Sequence, residues 1–151
     1  MLSTIGYEGA ALADFIKTLE VAGIEIVFDI RDRAQSRRPG FSKSALSEAL
    51  AQAGITYLHF RELGDPKEGR EAARAGNIEL FHRTFSGVLK TPGAQAALDA
   101  IALASESKST CLLCYERDHR NCHRKLVSDS IERQTGLKAR HLGVRHFEQA
   151  A

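Results

Sequence analysis

No apolar run in this sequence is long enough to cross a membrane: Ile24 to Ile30 and Cys111 to Cys114 are the longest, far short of the ~20 residues a spanning helix needs. No membrane partner is expected. Cysteine is scarce too. Its three residues are odd in number and unevenly spaced, which argues against a disulfide framework and for a reducing compartment. The first residues, Met1 to Gly6, show no basic region followed by an apolar stretch, so no export signal is read and a cytoplasmic location is expected. Nor does one sign of charge dominate. A formal charge of +2 does not by itself imply nucleic-acid binding, because what counts is clustering on one face. Internal repeats and low-complexity tracts are absent.

What is present is an ordinary globular composition, 43% hydrophobic and 26% charged, over a length that suits one domain, residues 1–151. Ser3 to Tyr7 is β-prone. Leu12, Phe15, Ile16 and Leu19 then recur at the spacing of one helical face. Glu25 to Ile30 has the look of a buried strand. After an arginine-rich loop, Ser42 caps an expected helix with Leu46 and Leu50 inward and Gly54 as its stop. Ile55 to Phe60 reads as a third strand, and the polar stretch Gly64 to Gly76 as a mobile loop. Asn77 and Thr91-Pro92 open two further helices. Thr110 to Cys114 is a fourth strand, Cys122 to Gln134 a helix with Leu126, Val127, Ser130 and Ile131 inward, and Ala139 to Val144 a last strand. Strands alternating with helices predict an α/β three-layer sandwich, a mainly parallel five-stranded sheet with helices on both faces in the Rossmann-like manner.

In such sheets ligands bind beyond the carboxyl ends of the strands. The residues expected there are unusually polar: Tyr7, Glu8 and Gly9; Asp29, Arg31, Arg33, Ser36, Arg37 and Arg38; His59, Arg61 and Glu62; Tyr115, Glu116 and Arg117 with His119 and Arg120; Arg145 and His146. The arginines from Arg31 to Arg38 suit bidentate contacts to an oxyanion, against the plain alternative that Asp29, Asp32 and Glu8 pair with them. Aromatic residues near them are few, which weakens a single-strand stacking reading.

The segment Cys114 to Arg124 holds two thiols, two imidazoles and several charges, and three readings compete for it. Cys114, five intervening residues and Arg120 match the Cys-x5-Arg spacing of a phosphatase-type loop, although Glu116 and Asp118 within it would repel phosphate. Cys114, His119, Cys122 and His123 are all residue types that zinc accepts, yet adjacent Cys122 and His123 would diverge by about 100° on a helix. The third reading makes Glu116, Cys122, His123 and Arg124 an anion pocket at a helix N-terminus. Cys111 and Cys114, three apart on a strand, face opposite ways and are set aside as a pair.

Several motifs in order resemble the domain of unknown function 488 family, a set of small, mostly bacterial proteins. They are Thr4-Ile5-Gly6-Tyr7-Glu8-Gly9, Asp29-Ile30-Arg31 leading to Ser36-Arg37-Arg38-Pro39-Gly40-Phe41, Tyr57 and His59 with Leu63-Gly64, and Cys114-Tyr115-Glu116 with Cys122-His123-Arg124. Ala34 departs from the pattern, since the family's arginine loop commonly has proline before the serine. The resemblance implies a site at Asp29, Arg31, Ser36, Arg37, Tyr57, His59, Glu116, Cys122, His123 and Arg124, and no settled activity.

The expected function is an enzyme acting on an anionic, phosphate-bearing substrate, a nucleotide or nucleic acid among them. Glu116 or Asp29 would serve as general base, His123 as general acid and Cys122 beside them, with Arg31, Ser36, Arg37, Arg38, Tyr57, His59 and Arg124 holding substrate. No cofactor is assigned. The alternatives are a non-catalytic nucleic-acid or protein binding module, and a metal protein using Cys114, His119, Cys122 and His123.

Overall fold

The computed structural model describes residues 1–147. The strands are β1 (Leu2–Gly6), β2 (Ile26–Asp29), β3 (Thr56–His59), β4 (Thr110–Cys114) and β5 (Arg140–Leu142). They form one sheet in the order β3-β2-β4-β1-β5, and every pairing is parallel. The helices are α1 (Leu12–Val21), α2 (Lys43–Gln52), α3 (Lys67–Arg74), α4 (Ile78–Leu89), α5 (Pro92–Ser107) and α6 (His123–Thr135). An α/β sandwich of three layers results.

Alternation along the strands sorts the core into two clusters. Ile5, Val27, Cys111 and Leu113 face α1 and α2, whose Phe15, Leu19, Leu46 and Leu50 pack beneath them. Leu2, Phe28, Leu112 and Cys114 face the other way, onto Phe81, Phe85, Leu98, Ile101, Val127 and Ile131 of the remaining helices. β1 and β4 are fully buried along their length, as parallel strands covered on both faces must be. The connection leaving β1 thus runs over one face and the connection leaving its neighbour β4 over the other. Adjacent strands whose exits diverge leave a crevice at their carboxyl ends.

Three local expectations change. The stretch read as a mobile loop, Gly64 to Gly76, contains the whole of α3, and a 3-10 turn (Arg61–Leu63) immediately precedes it. Only Gly69 and Ala72 of α3 are buried, so it packs through small residues and shows no apolar stripe. Ser42 does stand at the N-cap of α2, but its hydroxyl bonds the backbone of Ser36 instead of the helix. Finally, α6 begins one residue later than expected: Cys122 is its N-cap, in extended conformation, and Ser128, not Ser130, is the buried serine. Asn77 and Thr91 cap α4 and α5 through their side chains as expected. No helix among the described residues is long and apolar enough to cross a membrane.

Candidate functional site

The crevice beyond β1, β2 and β4 opens into a cavity of about 590 Å³. Tyr7 enters it from the end of β1, and Arg31, Asp32, Arg33 and Ser36 from the loop after β2. Cys114, Tyr115, Glu116, Cys122 and His123 form the side below β4, and Asp65, Arg70, Arg74 and Phe81 close the opposite wall. The strand ends approach closely enough that Gly6 is required. A Cβ there would lie 1.7 Å from the carbonyl oxygen of Glu116.

Most of the expected substrate-binding set supports the wall from behind. Asp29 is fully buried; it accepts from Arg31 Nε at 2.9 Å and Nη2 at 2.7 Å, and from the Tyr57 hydroxyl. Arg31 Nη1 donates to the Tyr7 hydroxyl and to the carbonyl of Phe41. The guanidinium borders the cavity, but its charge is already matched. The Asp29 carboxylate holds the Arg31 pKa above its ordinary value against the opposing effect of burial, and burial together with that carboxylate raises Tyr57. His59 Nε2 donates to the Arg31 carbonyl at 2.7 Å. Arg38 Nε donates to the Ala10 carbonyl, and Arg37 and Arg38 both lie on the exposed side of the loop. Of that expected set, Arg31 and Ser36 reach the cavity, while Arg37, Arg38, Tyr57, His59 and Arg124 do not line it; nor does Asp29, which was expected as a general base and is instead committed to Arg31 and Tyr57.

Arg124 is a support as well. It is completely buried, and its guanidinium donates to the carbonyls of Glu116 and Arg117 and to the Thr4 hydroxyl. Those bonds tie the turn after β4 to β1 and aim Glu116 at the cavity. The phosphatase-type loop does not form, since Arg120 pairs with Asp118 at 3.0 Å and stays out of the lining. His119 stacks on His141 with ring centroids 3.6 Å apart, which leaves it outside the set that faces the cavity.

Glu116, Cys122 and His123 do come together. Because Cys122 is extended and His123 is the first helical residue, the divergence expected of two helical neighbours does not arise. Cys122 Sγ lies 3.5 Å from His123 Nδ1, and the backbone N–H of Arg124 donates to the same sulfur. His123 Nε2 is 2.7 Å from the carbonyl of Ile30, which only accepts, so Nε2 carries the proton and Nδ1 keeps a lone pair. Burial pushes the His123 pKa down to about 4. A neutral imidazole with a free acceptor nitrogen is poorly suited to the general-acid role expected of it.

Cys114 and Cys122 bring their sulfur atoms into contact, with Cα atoms 7.6 Å apart. Uneven spacing along the chain concealed this pair. The Cα separation exceeds the ~6.8 Å upper end for disulfides, so the backbone spacing is that of two thiols sharing one site. Glu116 stands beside them, and one ligand atom from each of the three residues falls within a common 4.8 Å. Burial raises the Glu116 carboxyl above the ordinary carboxylate range.

The wall from α3 was not expected at all. Asp65 is 6% exposed, its Oδ1 has no hydrogen-bond partner among the described residues, and burial raises its pKa to about 7. Gly69 makes room for that oxygen, because a Cβ there would lie 1.9 Å from it. Arg70 pairs with Asp32 at 3.1 Å, whereas Arg33 and Arg74 have no carboxylate at ion-pair distance among the described residues. The available sequence signal was Pro66 followed by Lys67 and Glu71 four apart, a helix start with a charge pair.

No curated protein and no solved structure matches this chain. A family model described as Domain of unknown function DUF488 matches residues 11–131, which include the arginine loop, α3, the thiol pair, Glu116 and His123. The chain belongs to the DUF488 family.

Proposed function

We propose that the protein is an enzyme acting on a small phosphate-bearing anion held in this cavity. The observation that carries the reading is uncommitted positive charge. Four arginines and three carboxyls line the cavity, and Arg33 and Arg74 face it without a partner among the described residues. Asp65 adds less negative charge than its count suggests, since burial favours its neutral form up to about pH 7. A guanidinium pair across a partly enclosed space suits a phosphate group. Asp65, which lines the same space and keeps a buried oxygen without a hydrogen-bond partner among the described residues, is the group assigned to proton transfer, and Glu116, Cys122 and His123 form the floor against which the reacting centre sits.

Nucleotides and phosphate monoesters, assayed for turnover with wild type and Asp65→Asn, test this reading. One of these compounds is expected to turn over, and the substitution to lower kcat by about 10²–10⁴-fold with the fold intact by circular dichroism. Neither binding nor turnover across the panel contradicts it. A non-catalytic nucleic-acid module is less well supported, because Arg37 and Arg38 do not line the cavity with Arg31 and Arg33. Oligonucleotide binding that steepens with falling salt would favour that module instead.

A further inference from the structure

The thiol pair at the floor of the cavity is larger in chemical content than the proposed function uses. We propose that Cys114, Cys122, His123 and Glu116 bind a divalent zinc-class metal ion, through two thiolates, the imidazole Nδ1 and one carboxylate oxygen. Three observations converge on it. Ligand atoms of Cys114, Glu116 and Cys122 lie within 4.8 Å of one another, and His123 Nδ1 is 3.5 Å from Cys122 Sγ. Around a tetrahedral ion with bonds of about 2.0–2.3 Å, neighbouring ligand atoms stand roughly 3.3–3.8 Å apart. Cys114, Glu116 and Cys122 already form a compact group, and His123, within reach of Cys122 but outside that group, completes the set by side-chain rotation toward the ion.

The second observation is the orientation of His123. Its Nε2 is held by the Ile30 carbonyl at 2.7 Å, which fixes the tautomer and turns the lone pair of Nδ1 toward Cys122. Metal-binding histidines are commonly fixed through the distal nitrogen in this way. The third is the backbone. Cys114 ends β4, Cys122 caps α6, and a Cα separation of 7.6 Å is too wide for a disulfide but suits two sulfurs about 3.8 Å apart on one ion. An N–H donor already sits on Cys122 Sγ from Arg124, the kind of contact that stabilises a bound thiolate, and the buried Arg124 guanidinium adds positive charge nearby. Two thiolates with an imidazole select zinc over harder ions such as magnesium or calcium. On binding, each thiol proton leaves to solvent as its sulfur takes the metal. His119, stacked on His141, is not a ligand.

The metal site does not depend on the cavity having a substrate, and its test uses none, so the two readings fail separately. The purified protein is expected to carry zinc at about one per chain. Reduced protein stripped of metal and titrated with Co²⁺ is expected to develop a thiolate-to-cobalt charge-transfer band with strong visible bands of a four-coordinate ion, saturating at about one equivalent and abolished by Zn²⁺. Cys114→Ser and Cys122→Ser should each weaken or remove the charge-transfer band, Glu116→Gln should keep it with about 10-fold weaker Co²⁺ affinity, and His119→Ala should leave both unchanged. The wild-type titration decides the matter if a cysteine variant fails to fold. Absence of stoichiometric zinc together with no charge-transfer band on adding Co²⁺ would overturn the site. So would recovery of Cys114 and Cys122 joined to each other under reducing conditions.

Discussion

Two arginine-bearing segments border the cavity, and they differ in what their charges are free to do. In the loop after β2, Arg31 is buried against Asp29 and Arg38 is held by the Ala10 carbonyl. Arg33 faces the cavity without a carboxylate partner among the described residues. In α3, which looks unremarkable in sequence, Arg70 and Arg74 both line the cavity, Arg70 paired with Asp32 and Arg74 without a carboxylate partner among the described residues, and Asp65 just before the helix joins them. Charge density along a chain therefore says little about available charge. A guanidinium buried beside a carboxylate does structural work, and an exposed one at a cavity rim is left to meet a ligand.

Substitutions can break that contrast, and the largest effect is expected at Arg31. Removing it leaves the fully buried Asp29 carboxylate unpaired, so Arg31→Ala should cost about 3–5 kcal/mol in chemical denaturation. Asp65 tests the opposite wall through pH. Its carboxyl is raised from 3.8 to about 7, so the native state holds a proton that the unfolded chain has released over that window. Stability from this group is therefore lost as pH rises from about 4 to 7. Asp65→Asn should leave stability near wild type at pH 4 and raise it by about 1–2 kcal/mol at pH 8, read from melts at both. An equal shift at both pH values would mean that the carboxyl ionises freely in the folded protein.

Smaller effects sharpen the same contrast. Arg74→Ala should weaken binding of adenosine monophosphate by about 10-fold, roughly 1.4 kcal/mol, with little change in melting temperature. Arg37→Ala, at the exposed side of the β2 loop, should alter stability by less than about 0.5 kcal/mol and binding not at all. Calorimetric titration of the two variants side by side checks both.

The sheet was legible because its strands are short apolar runs between polar turns, and the strand-end residues Tyr7, Arg31, Glu116 and His123 did converge. What those residues do there was not. Whether an arginine is committed to a buried carboxylate or to backbone carbonyls depends on chain paths that spacing does not encode, as Arg31 with the Asp29 carboxylate and Arg124 with the Glu116 carbonyl illustrate. Helix α3 escaped because burial of Gly69 and Ala72 leaves no hydrophobic period to detect. A shift of one residue at the start of α6 mattered most. It turned Cys122 and His123 from diverging helical neighbours into side chains 3.5 Å apart.

The most direct measurement is adenosine monophosphate binding by calorimetry at fixed salt, with two double variants compared against wild type. Arg33→Ala with Arg74→Ala should lose about 100-fold in affinity, two contributions of about 10-fold each, while Arg37→Ala with Arg38→Ala stays within about 2-fold. If the loop pair abolishes binding and the cavity pair leaves it intact, the anion sits outside the cavity and the account is wrong.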